Sequence, residues 1–106
     1  MQNNQSYIDG KWINGSGKSF QNINPSDTQD IVGEYQECNS DEFDLAVQAA
    51  KKAQIEWANV GIEKKSTILI KIGDELINRS KELVELLCRE EGKTLPEGIG
   101  EVARAG

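Results

Sequence analysis

With 106 residues, the chain is long enough for one domain with a modest core and too short to set two layers of helix around a broad sheet. Eighteen Asp and Glu against twelve Lys and Arg give a formal net charge of -6 and a pI of about 4.6, which repels a phosphate backbone or an anionic membrane on average. Nucleic-acid binding is therefore the least favoured function class, and no apolar run approaches the roughly 20 residues needed to cross a bilayer.

The opening Met1-Gln2-Asn3-Asn4-Gln5 has neither the basic nor the apolar region of a secretion signal, so the expected location is the cytoplasm. Short strands joined by turns are expected from about residue 7 to residue 36. Asp9-Gly10 stands between Tyr7-Ile8 and Lys11-Trp12-Ile13, and that dipeptide supplies the positive φ angles of a tight type I′ hairpin. Asn14-Gly15-Ser16-Gly17 is a second turn, after which Ser19-Phe20-Gln21-Asn22-Ile23 alternates and can return as a third strand. Asn24-Pro25-Ser26 breaks it, because proline biases the preceding residue away from helix. Ile31-Val32-Gly33-Glu34-Tyr35 reads as a further short strand.

From residue 40 the apolar period changes from two to about 3.6. Ser40 is the expected N-cap of a helix over about 40–58. Asp41, Glu42 and Asp44 complement its dipole, and Phe43, Ala46, Val47, Ala50 and Trp57 share one face. After a break at Asn59 to Gly61, a second helix covers about 62–78, with Ile68, Leu69, Ile72 and Leu76 directed inward. Gly73 inside it costs up to about 1 kcal/mol relative to alanine, which predicts a second backbone packed closely against it. Ser80 is the expected cap of a third helix over about 80–91, whose Leu83, Val84, Leu87 and Cys88 face inward and which Gly92 ends. Thr94-Leu95-Pro96-Glu97 reads as a capping box with proline in the first turn, opening a fourth helix over about 94–106. Its stripe of Leu95, Ile99, Val102 and Ala103 stops at Gly106, which can serve as a glycine cap, with no polar tail beyond it.

These amphipathic helices and a narrow β meander present more apolar face than they can cover in each other. Each Leu or Ile left in water forgoes about 1.5–3 kcal/mol of burial, comparable with the whole stability of a small domain. Something further is expected to cover them.

Chemistry-bearing residues are few. There is no histidine, so neither a Cys–His nor a Ser–His pair can be built from this chain, and Cys38 and Cys88, fifty positions apart, fit no metal spacing. Cys88 on an apolar helix face reads as a small buried hydrophobe. Cys38 lies near a helix N-terminus, which favours a thiolate, whereas Glu37 opposes one and no base is at hand. Gly92-Lys93 lacks the other glycines and the preceding strand of a phosphate-binding loop, and Gly92 reads as a helix stop.

In order and spacing, several stretches together resemble the N-terminus of the aldehyde dehydrogenase superfamily. They are Tyr7-Ile8-Asp9-Gly10-Lys11-Trp12, Ile23-Asn24-Pro25-Ser26-Asp27-Thr28 with Ile31-Val32-Gly33, and Ala46-Val47-Gln48-Ala49-Ala50 with Trp57. Lys65, Leu69, Ile72-Gly73-Asp74 and Glu90-Glu91-Gly92-Lys93-Thr94-Leu95-Pro96-Glu97 with Glu101-Val102 complete the set. The resemblance implies oxidation of an aldehyde to a carboxylic acid with NAD or NADP, through a cysteine thiolate, hydride transfer and thioester hydrolysis, in a homo-oligomer. It also implies that the nucleophile, the general-base glutamate, the oxyanion asparagine and the cofactor-holding lysine and glycine-rich turn lie downstream of the matched region. Residues 1–106 then form an incomplete N-terminal part of the cofactor-binding domain. The expected fold is an α+β fragment, an antiparallel β hairpin or meander followed by three to four amphipathic helices, belonging to the α/β cofactor-binding domain. Alone it would be catalytically inert and would hold neither catalytic nor cofactor-binding residues.

The resemblance further implies a monovalent cation near this domain, held by backbone oxygens at Asn22 and Ile23 and by the carboxylate of Glu101. Read from the residues alone, Glu101 is a solvated acid on an ordinary helix. The Gly-Lys-Thr-Leu-Pro-Glu run is similar to the branch acting on semialdehydes and related small polar aldehydes. A reading from a different class is a stand-alone, non-catalytic module that self-associates or binds a protein partner through the same apolar faces.

Overall fold

Asp9 and Gly10, at φ +50° and +77°, both occupy the left-handed region that a two-residue type I′ turn requires. They join β1 (Ser6–Ile8) to β2 (Lys11–Ile13) in an antiparallel hairpin that pairs Ser6 with Ile13, Tyr7 with Trp12 and Ile8 with Lys11. The Tyr7 and Trp12 rings meet across the ladder with centroids 5.0 Å apart. The structure, a computed structural model, describes residues 4–106; Met1, Gln2 and Asn3 of the opening stretch lie outside the described residues.

The strands form two separate two-stranded sheets rather than one continuous meander. β3 (Ser19–Ile23) pairs with β4 (Ile31–Gln36), not with β2. The bonds from Gly17 N to Glu37 O (2.7 Å) and from Glu37 N to Lys18 O (2.9 Å) set this pairing at one end. At the other, Asn24 N donates to Asp30 O at 3.0 Å and closes the connecting loop. Gly15 and Gly17 are needed there, because a Cβ on either would fall 2.4 or 2.6 Å from the Glu37 carbonyl oxygen.

The described chain divides into two compact units, not one body around a single core: residues up to Asn22 with Gly33–Val60, and Ile23–Val32 with Gly61–Gly106. In the first, α1 (Ser40–Ala58) packs beside the first hairpin. Its N-cap is Asn39 and not Ser40. The Asn39 side chain accepts the Glu42 N–H at 2.9 Å, and the Glu42 carboxylate accepts the Asn39 N–H at 2.8 Å, a complete capping box. The face expected to be inward is largely open, with Phe43 65% and Val47 48% exposed, whereas Ala46 and Ala49 are half-buried. A 19-residue helix beside three-residue strands has too little surface opposite it to cover larger side chains.

The second unit holds α2 (Ile62–Asn78), α3 (Ser80–Glu91) and α4 (Leu95–Ala105). Arg79 ends α2 and begins α3, so Ser80 is the first helical residue and not the cap. Gly92, at φ +67°, closes α3 in the left-handed conformation. Thr94 and Glu97 form a capping box for α4, with Pro96 in its first turn. Among the described residues the buried apolar side chains are Val84 of α3 and Val102 of α4. On α2, Ile68 and Leu76 are half-buried as expected, but Leu69 and Ile72 are 61% and 51% exposed. The α2–α4 approach runs instead through Gly73, whose missing Cβ leaves room for the Gly106 carbonyl oxygen. No helix among the described residues is long and apolar enough to cross a membrane.

Candidate functional site

The densest polar constellation surrounds the α3–α4 junction in the second unit. Arg89, on the last turn of α3, forks onto Asp30, with Nη2 to Oδ1 at 2.6 Å and Nε to Oδ2 at 2.9 Å. Asn24 Nδ2 donates to the same carboxylate at 3.2 Å. The Arg89 hydrogen bonds, and then the Asn24 bond, hold the Asp30 carboxyl at about 2, well below its ordinary 3.8. Ser26 donates its hydroxyl to the Gly92 carbonyl at 2.6 Å, so both ends of the 24–30 loop are fastened to the end of α3.

One residue further on, the Lys93 ammonium sits between the carboxylates of Glu101 and Glu91. Hydrogen bonding to Glu101, and then to Glu91, raises its pKa above the ordinary lysine value. Glu97 is held below the usual carboxylate range by the Thr94 hydroxyl, which donates at 2.7 Å, and by the Thr94 N–H at 3.0 Å. Cys88 donates its thiol to the Thr94 carbonyl at 3.4 Å and fills the space that Gly98 leaves open. Each of these groups is engaged in fastening the turn.

In the first unit, Cys38 donates its thiol to the Ser6 hydroxyl at 3.3 Å. The Cys38 thiol also interacts with the Glu42 carboxylate. The Glu42 carboxylate accepts from Asn39 N and Ser16 N, and these bonds, the Asn39 one first, lower its pKa.

Of the residues proposed for a monovalent cation, Asn22 belongs to the first unit, and Ile23 and Glu101 to the second. Asn22 is half-buried, Ile23 ends β3 and is 42% exposed, and the Glu101 carboxylate carries the Lys93 ammonium. Among the described residues no group of three or more Cys, Asp or Glu is placed to hold a metal ion.

Gly92 and Lys93 do not form a phosphate-binding turn. Gly92 is the stop of a helix rather than the start of one, its carbonyl is taken by Ser26, and the Lys93 ammonium is neutralised by two carboxylates. The Asp30–Arg89 and Lys93–Glu101 pairs have no local signature. They join residues 59 and 8 positions apart, and only unremarkable charges mark them in the sequence.

The chain matches the aldehyde dehydrogenase family model over residues 12–106. It is 37% identical over 102 residues to the alpha-ketoglutarate semialdehyde dehydrogenase of Haloferax volcanii, a match covering 95% of this chain and 21% of that protein. Among solved structures it is similar to an NAD-dependent benzaldehyde dehydrogenase from Corynebacterium glutamicum, with a TM-score of 0.91 and 31% identity over 96% of this chain and 22% of that one. PnpE in complex with nicotinamide adenine dinucleotide gives a TM-score of 0.87 and 30% identity, over 98% of this chain and 21% of that one. The chain thus spans about a fifth of the length of the relatives it matches. By sequence and by fold, it belongs to the aldehyde dehydrogenase family.

Proposed function

We propose that this chain is the N-terminal part of the cofactor-binding domain of an NAD(P)-dependent aldehyde dehydrogenase, which oxidises an aldehyde to a carboxylic acid and is catalytically inert in residues 1–106 alone. The observation that carries the reading is the family match over 12–106 together with its extent, about a fifth of each relative. Open apolar side chains support it: Phe43, Leu69, Ile72, Leu95 and Ile99 are each more than half exposed and suit coverage by further polypeptide. The inertness is supported by Gly92 and Lys93, which form no phosphate-binding turn, and by the two thiols, one beside Glu42 and the other packed against α4.

The substrate class of this reading is a small polar semialdehyde, as the name of the Haloferax volcanii relative suggests. NAD or NADP serves the whole enzyme, and the parts supplying nucleophile, base and cofactor turn come from outside residues 1–106. The whole enzyme is a homo-oligomer working in the cytoplasm. The test is the intact mass of the natural gene product, captured with an antibody raised against residues 1–106. A species several times heavier than 11.7 kDa that reduces NAD or NADP with a semialdehyde is the expected result. A species of 11.7 kDa overturns the reading.

The cation reading of Asn22, Ile23 and Glu101 competes with the ion pair between Lys93 and Glu101, which supports Glu101 as a paired acid. Raising sodium at constant ionic strength separates them. A melting temperature of the whole protein that climbs with sodium in the natural sequence, and not in Glu101→Gln, supports the cation. Indifference to sodium removes it.

A further inference from the structure

We draw no further inference here: the strongest candidate, the apolar groove along α3 and α4 lined by Ile77, Val84, Leu95, Ile99 and Ala103, belongs to the reading already given, in which the rest of a larger dehydrogenase covers it, and nothing in the structure shows another occupant.

Discussion

A methyl group on Gly73 would stand 2.8 Å from the carbonyl oxygen of Gly106, so the middle of α2 and the end of α4 meet backbone to backbone. Glycine in a helix interior is a local cost, offset here by the close approach it permits.

Gly73→Ala is therefore expected to destabilise the second unit by about 1–3 kcal/mol despite alanine's better helix propensity, because the methyl must displace a main-chain atom. Gly100, also inside a helix, has nothing within 4 Å of its Cβ position. Gly100→Ala should stabilise by about 0.5–1 kcal/mol. Urea midpoints followed by helical circular dichroism check the pair, and shifts of the same sign would refute the packing argument.

A second expectation concerns the cap of α1. Asn39→Ala removes the acceptor for Glu42 N and the donor to Ser16 Oγ, at a cost of about 0.5–2 kcal/mol. Ser40→Ala, one residue inside the helix, should leave stability within about 0.5 kcal/mol. Thermal melts of the two variants decide between Asn39 and Ser40 as the cap. An equal loss in both would contradict the geometry.

Acid sensitivity follows from Asp30. Its folded pKa is depressed from 3.8 to about 2, so the stability it contributes is fully present above 3.8 and drains away as pH falls towards about 2. Asp30→Asn should remove this part of the acid limb while leaving the contributions of Glu42 and Glu97, whose pKa values are also lowered. The slope of the urea midpoint against pH below 3.8 is the readout. A slope unchanged in Asp30→Asn would show that the Arg89 fork contributes nothing in solution.

Contact between Cys88 and Gly98 gives a coupled pair. A Cβ on Gly98 would lie 2.5 Å from the Cys88 sulfur, so Gly98→Ala is expected to cost about 1–3 kcal/mol. Adding Cys88→Ala makes room for that methyl and should recover most of the loss, a coupling visible in a double-mutant cycle. Additive effects would mean that α3 and α4 separate rather than clash.

Neither thiol is expected to serve the oxidation. On the proposed function, the Cys38→Ser/Cys88→Ala double variant of the whole enzyme keeps its kcat for a semialdehyde, and iodoacetamide still abolishes it through a cysteine outside residues 1–106. A folded double variant without activity would place the nucleophile within this chain.

Much of the local structure was legible because its causes lie within a few residues. Asp9-Gly10 requires a tight turn by its φ angles alone, and Thr94 and Glu97 are close enough along the chain to cap one helix. The Gly73 approach was legible in outline, since an unfavourable residue implies a compensating contact, but the identity of that contact was not. Asn39 and Ser40 are adjacent and chemically similar as caps, and the choice fell to Asn39 through its further bond to Ser16, 23 residues away.

Sequence by itself determined the element types and the turns, because periodicity, capping and positive φ are short-range properties of neighbouring side chains and backbone, and the family likeness, because the matching stretches keep their order and spacing along the chain. Tertiary structure alone decided that β3 pairs with β4, that Arg89 finds Asp30, that Lys93 is held by Glu91 and Glu101, and that Leu69 and Ile72 stay open. These outcomes depend on which distant surfaces meet. A charge or an apolar face carries no record of its partner until the backbone brings one within about 4 Å.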